Sequence, residues 1–259
     1  MQNEAAGQDG RASIRQPISA LGVVFEAAEK RFGSLVALRR VSLEIIPGEF
    51  VVLVGHNGSG KTTLLRMAAM LSKPTSGRVA HSGAAAASPA AIKQRIGFVA
   101  HNTLLYDELT AEENLRFFAT LYGVAEPAER ARAALVPAGL SRRGRDLVRT
   151  FSRGMRQRLA LSRALLASPS LLLLDEPASG LDREGANWLA RTLSELRGAG
   201  CTIVMSSHGQ NEASELATRA VAMRAGAVVA DSGPDGDAQA VIGRESAPAE
   251  RPSKTAALP

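Results

Sequence analysis

Residues 55–62 read Gly-His-Asn-Gly-Ser-Gly-Lys-Thr, a match to G-x-x-x-x-G-K-[ST]. The run follows directly on the apolar residues 50–54 and leads into a helix-patterned stretch over 62–71. Strand, glycine loop and helix in that order constrain the chain more than any other feature. Glycines let successive backbone N–H groups turn inward onto phosphate oxygens, and the following helix N-terminus adds positive potential. On this reading Gly55, His56, Asn57, Gly58, Ser59, Gly60, Lys61, Thr62 and Thr63 surround a nucleotide's phosphates. Lys61 reaches the β and γ groups, and the Thr62 hydroxyl ligates Mg2+. The bland alternative is a glycine-rich turn that matches by chance, which happens on the order of once in a few hundred such chains.

A second element lies at 171–177, Leu-Leu-Leu-Leu-Asp-Glu-Pro, where a buried-type strand ends in two carboxylates. Beside a phosphate loop, this places Asp175 on the metal ion and leaves Glu176 near the γ-phosphate. Glu176 is then the better candidate to polarise an attacking water, because Asp175 is committed to Mg2+. Alone, an acidic pair at a strand end is equally a helix N-cap or a surface ion pair.

Around these elements, apolar runs at 21–26, 41–46, 50–54, 96–100, 171–175, 202–206 and 227–230 predict strands that alternate with helical patterns. The chain therefore reads as one α/β domain over about residues 20–231, a sheet wrapped by helices. Residues 101–160 interrupt the alternation with helical patterns only. Thr110-Ala-Glu-Glu113 is a capping box ahead of 114–121, and 128–136 forms a second helix. This insert holds Tyr106, Phe117, Phe118, Tyr122 and Phe151, either as its own small core or as a surface for a partner. His81 falls in a Gly/Ala-rich stretch that predicts a loop. Residues 1–18 and 232–259 are polar or Pro/Ala/Ser-rich and are expected to be flexible tails.

A net charge of +6 raises nucleic acid or a membrane surface as partners. The positive residues, however, are 26 Arg and 5 Lys, a balance that a GC-biased genome also writes. Eight Arg and one Asp fall within 142–163, a local excess of +7, so the rest of the chain carries −1. Basicity confined to one segment argues against general nucleic-acid binding. The longest apolar runs are far below the roughly 18 residues of a spanning helix. The N-terminus lacks an apolar signal region and Cys201 stands alone, so the expected location is the cytoplasm, with Cys201 packed in the core.

Three further segments narrow the reading. Residues 151–158 are Phe-Ser-Arg-Gly-Met-Arg-Gln-Arg, residues 179–182 are Ser-Gly-Leu-Asp, and Ser206-Ser207-His208 ends a predicted strand. With the phosphate loop, these resemble the ATP-binding subunits of ABC transporters over about residues 20–231. The resemblance implies a RecA-like P-loop NTPase core with an inserted helical subdomain, binding ATP and Mg2+. It also implies a head-to-tail dimer, a homodimer or a heterodimer with a second ABC ATPase, in which Ser152 and Gly154 face the partner's γ-phosphate. The family signature is Leu-Ser-Gly-Gly-Gln, from which Phe151, Arg153 and Met155 depart. By the same resemblance Phe32 stacks on adenine, His208 donates to the γ-phosphate, and Asp182 belongs to the loop that communicates across the dimer. His101 stands where the family carries a Gln that senses Mg2+ and γ-phosphate and hinges the insert. Imidazole, unlike an amide, gains and loses a proton in the neutral range, so weaker or pH-dependent coupling is expected there.

Residues 97–123, together with the Ser-Arg-Gly-Met-Arg-Gln-Arg signature, are similar to the heme-exporter (CcmA-type) ATP-binding subunits of cytochrome c maturation. That implies integral membrane permease subunits and a place on the inner face of the cell membrane. The competing expectation is the ATPase subunit of an ABC-2-type exporter of drug, lipid or glycan. A soluble ABC ATPase acting on ribosomes or DNA fits less well, because the chain has one phosphate loop and its insert has no heptads.

Overall fold

The protein, in a computed structural model, is described over residues 19–83, 88–209 and 211–246. The expected tails at 1–18 and 247–259 lie outside these residues. The described strands are β1 (Gly22–Phe32), β2 (Leu35–Ile45), β3 (Phe50–Val54), β4 (Ser76–Ser82), β5 (Ile96–Val99), β6 (Leu171–Asp175), β7 (Thr202–Ser207), β8 (Arg219–Arg224) and β9 (Ala227–Asp231). The helices are α1 (Lys61–Ala68), α2 (Pro89–Gln94), α3 (Ala111–Leu121), α4 (Pro127–Leu135), α5 (Arg153–Leu165), α6 (Arg183–Gly198) and α7 (Ala238–Ser246).

The strands form two sheets rather than the single sheet expected. An antiparallel layer runs β2-β1-β4, and a six-stranded layer runs β5-β6-β7-β3-β8-β9. The second is parallel from β5 to β8, with β9 added antiparallel at the edge. β4 and β8 escape apolar patterning for different reasons. No residue of β4 is fully buried, and it is held by backbone pairing to β1; the apolar content of β8 is half alanine.

Continuous apolar strands arise because both faces of the parallel sheet are covered. Val51 and Leu53 enter the core shared with α1 and the antiparallel sheet, while Phe50, Val52 and Val54 enter the core under α5, α6 and α7. Leu171 and Leu173 divide from Leu172 and Leu174 in the same way. Each such side chain contributes about 1.5–3 kcal/mol of burial. Arg219 helps join the two sheets: its guanidinium donates to the Glu44 carbonyl of β2 at 2.9 Å and lies 2.7 Å from Asp231 and 3.3 Å from Glu49. His81 belongs to β4, not to a loop, and its Nε2 lies 2.8 Å from the Ala68 carbonyl at the end of α1. Burial lowers its pKa, which favours the neutral ring.

One boundary needs correction. Residues 238–246, expected to be part of a flexible tail, form α7, which packs on β8 with Ala238 and Ile242 buried. Ala238, Val241 and Ile242 make an i, i+3, i+4 apolar stripe, too short to stand out among Gly, Pro and Asp. The expected insert boundary near 160 falls inside α5. α5 starts in the insert core through Leu159 and finishes in the main core through Ala160, Leu161 and Ala164.

The insert has its own core of Leu115, Phe118, Leu135, Val148, Phe151 and Leu159. The capping box forms as expected, with Thr110 Oγ1 accepting from Glu113 N and Glu113 Oε2 accepting from Thr110 N. Of its aromatics, Phe118 and Phe151 are buried, while Tyr106 and Phe117 are exposed and meet edge to face at 5.2 Å. Arg163 is the joint between insert and sheet. Buried and, among the described residues, without an ion-pair partner, it donates to the Phe98 carbonyl of β5 at 2.9 Å and lies 5.0 Å over the Phe118 ring.

Candidate active site

Strand register sets the site before any loop does. Val54 pairs with Ser207, Asp175 with Ser206, and Val99 with Leu174. The C-terminal ends of β3, β5, β6 and β7 therefore lie together, where open α/β sheets bind ligands.

From β3 the chain enters the glycine loop. Gly55, Gly58 and Gly60 have φ of 142°, 78° and 107°, a region that side-chain-bearing residues rarely adopt. Gly55 has a second reason to be glycine, since a Cβ there would lie 2.2 Å from the Met223 carbonyl. Gly60 caps α1 with no side-chain bond, and the first turn of α1 holds no acidic residue, so its amides stay open to an anion. Lys61 Nζ donates to the carbonyls of Gly55 at 2.6 Å and His56 at 3.1 Å, folding back over the loop. Burial pulls its pKa down while Glu176 and Asp175 push it up. Among the described residues Ser59 Oγ, which is buried, has no hydrogen-bond partner, an orphan polar atom that a bound phosphate oxygen would satisfy. His56 and Asn57 are exposed on the loop, and Thr63 is half-buried on α1.

The carboxylate pair ends β6. Asp175, buried, accepts from Thr62 Oγ1 at 3.1 Å and from Ser206 Oγ at 2.8 Å. Ser206 in turn accepts from Glu176 N at 2.9 Å. Glu176 has a φ of 55°, left-handed for a residue with a side chain. Its carboxylate lies between two imidazoles, His208 Nε2 at 2.6 Å from Oε1 and His101 Nδ1 at 4.0 Å from Oε2. The oxygen-only pair of Thr62 and Asp175 suits Mg2+, which takes few protein ligands and keeps water and phosphate oxygens. Among the described residues no group of three or more His, Cys, Asp or Glu is arranged to hold a metal ion, so the metal would need that exogenous share. Ser206 was not apparent from sequence as a site residue; its signal is its register opposite Asp175.

Four sequence-predicted residues stand apart. Ser152 is exposed and caps α5, with its Oγ accepting from Met155 N at 3.3 Å. Among the described residues no hydrogen bond joins it to the glycine loop of its own chain. Gly154 follows in the first turn of α5, and Asp182 caps α6 through Gly185 N at 2.8 Å. Phe32 is exposed beside Leu35 at the β1–β2 tip, with Lys30 Nζ 5.1 Å over its ring. The same hairpin backs the glycine loop, because a Cβ on Gly60 would lie 2.9 Å from the Ala37 carbonyl.

Comparison with known proteins places this geometry. The model of the family described as ABC transporter matches residues 38–179, more than half of the chain. The chain belongs to the ABC transporter family. It is an ATP-binding, ATP-hydrolysing subunit of that family. It is 36% identical over 216 residues to the daunorubicin resistance ATP-binding protein DrrA3 of Streptomyces coeruleorubidus, covering 82% of this chain and 68% of that one. It is 38% identical over 220 residues to the sulfate/thiosulfate import ATP-binding protein CysA of Caulobacter vibrioides, covering 82% of this chain and 65% of that one. The fold matches the dimeric, ADP- and Pi-bound structure of the ATP-binding cassette MJ0796 at a TM-score of 0.74 and 30% identity, over 83% of this chain and all of the other. No helix among the described residues is long and apolar enough to cross a membrane.

Within this cassette the arginine-rich segment is largely engaged. Arg143 pairs with Asp146, Arg149 with Glu108 and Arg156 with Asp107, while Arg163 is buried. Cys201 is buried as expected, and burial pushes its thiol up to about 12, far from reactive thiolate.

Proposed function

We propose that two cassettes, two copies of this chain or this chain with a related one, close head to tail over two ATP molecules. Each triphosphate lies on residues 55–63 of one cassette and meets Ser152 and Gly154 of the other, with Phe32 on the adenine and Asp182 at the shared surface. Glu176 polarises the attacking water, His208 fixes its carboxylate, and His101 reports phosphate occupancy to the insert. One observation carries this reading: Glu176 is gripped at 2.6 Å by His208 on the strand end that also presents Asp175 to Thr62. Mg2+, when bound, would be held by Thr62 and Asp175 and would neutralise phosphate charge. The dimeric state of the MJ0796 cassette supports the pairing. The test is Glu176→Gln, expected to bind ATP, dimerise and stall; turnover at the parent rate would remove Glu176 from this role.

The cassette then drives permease subunits at the inner membrane face, with Phe117 and Tyr122 of the insert turned toward them, while Phe118, the third candidate for that contact, is buried in the insert core. For cargo we propose heme bound for cytochrome c maturation, a reading supported by the continuous segment 97–123. A second reading, an ABC-2-type exporter, is favoured by the likeness to DrrA3. Relatives named for resistance and for import share this core, so cargo choice lives in the membrane subunits. Deleting the gene and measuring holo-cytochrome c separates the two. Loss of the holoprotein, with co-purification of a heme-type permease from membranes, supports the first; normal holoprotein overturns it.

A further inference from the structure

We propose that Arg153 is a positioning residue that latches the turn after Glu176 to the first turn of α5. It would thereby tie the half-site the chain keeps to the half-site it lends. The inference rests on the reading of Glu176 as the group that polarises water.

Glu176 holds a left-handed backbone, so its carboxylate stays in place only if both flanks are fixed. On one flank Ser206 Oγ accepts from its N–H at 2.9 Å. On the other the chain turns through residues 177–182, with Ser179 N donating to the Glu176 carbonyl at 3.1 Å. Arg153 closes that turn from outside. Its Nη2 donates to Ser179 Oγ at 2.8 Å, and its stem lies across Gly180, where a Cβ would come 2.4 Å from Arg153 Cδ. A Cβ on Gly154 would sit 3.7 Å from the Gly180 carbonyl and 3.9 Å from Leu181 Cδ2, so backbone and side chains of the turn rest on α5 directly.

The contact is selective. Arg143, Arg149 and Arg156 from the same basic segment pair with carboxylates, whereas Arg153 reaches a hydroxyl on the loop that continues from Glu176. Arg153 stands where the family signature has its first Gly, which has no side chain to make such a bond. Displacement of Ser152 and Gly154 on dimer closure is thus transmitted through Arg153 and Ser179 to Glu176.

The test uses the full chain and steady-state ATPase kinetics on Arg153→Met, Ser179→Ala, the double variant and Arg153→Lys. Each single variant is expected to lower kcat about three- to tenfold with KM for ATP unchanged. The double variant should be no worse than either single one, and Arg153→Lys should recover most of the rate by donating to the same hydroxyl. In a Glu176→Gln background, Arg153→Met should leave ATP-driven dimerisation intact. A raised KM with a silent Ser179→Ala would mean that Arg153 touches the partner's phosphate instead, and would overturn the latch. Additive losses or parent kcat in both singles would overturn it too. Ser179→Ala deletes only a hydroxyl and carries the test if Arg153→Met does not fold. If Glu176→Gln stalls while these variants run at the parent rate, only the latch fails; if Glu176→Gln itself turns over normally, the reading beneath it fails.

Discussion

His208 Nε2 lies 2.6 Å from Glu176 Oε1, and His208 reaches this carboxylate from the end of β7 while His101 approaches the other oxygen from the end of β5. β6, which carries Glu176, runs between those two strands. Parallel pairing, rather than a mobile loop, therefore sets the closer contact. His208→Ala is expected to lower kcat by about 100-fold or more while ATP binding persists, the usual consequence of losing one preorganised hydrogen-bonding group. Single-turnover ATPase and nucleotide-binding measurements on the same preparation check it, and a change in binding alone would contradict it.

His101 lies at 4.0 Å and is more exposed, so its replacement should be milder. His101→Gln replaces the imidazole beside Glu176 with the amide common in the family. The variant should bind ATP normally and lower kcat by less than His208→Ala does, as steady-state ATPase measurements on the two variants would show. A loss as large as that of His208→Ala would contradict the ranking by distance.

Lys61 Nζ donates to two loop carbonyls, at 2.6 Å and 3.1 Å. Lys61→Ala should weaken ATP binding by on the order of 100-fold, about 2.7 kcal/mol. Its effect on thermal stability without nucleotide should be small, because the buried ammonium's desolvation cost disappears along with its hydrogen bonds. Unaltered ATP affinity by equilibrium binding would contradict the phosphate-loop assignment.

Asp231 is held below the usual carboxylate range, first by its hydrogen bonds from Arg219. A lowered folded-state pKa stabilises the fold above the ordinary carboxylate value, and this stabilisation is lost as pH falls through the folded value. Asp231→Asn should therefore cost about 0.5–1 kcal/mol in urea unfolding at neutral pH, because solvent screens the partly exposed pair, and the difference from the parent should shrink toward acid. A penalty that stayed constant with pH would show that packing, not charge, accounts for it.

Ile242 is fully buried in α7 against the main core. Ile242→Ala is expected to cost about 2–4 kcal/mol by urea denaturation. A change below about 0.5 kcal/mol, the level of surface substitutions, would mean that α7 adds nothing to the fold.

Much of the site was legible before any fold was known, for a local reason. A phosphate cradle needs glycines at fixed offsets, a lysine and a threonine opening a helix, and these lie within one short segment whose strand and helix flanks are also local. Asp175 and Glu176 were legible because a strand buried on both faces must be apolar until it ends. The second sheet was not, because β4 is nearly polar and is a strand only through its pairing with β1. α7 was hidden for a similar reason: its stripe is short, and its burial depends on β8 being present to receive it.

By itself the sequence determined the chemistry available: which residues can bind phosphate, take up a divalent cation or accept a proton, and that a helical insert divides the core. Tertiary structure decided which of these groups meet. Asp175 reaches Thr62 and Ser206, and Glu176 reaches His208, across strands far apart in the chain, because the register of β3, β6 and β7 aligns their ends. It also set Ser152 apart from its own phosphate loop and put Arg153 against Ser179. Composition and periodicity act over a few residues, whereas these contacts depend on strand order and on which faces are buried together.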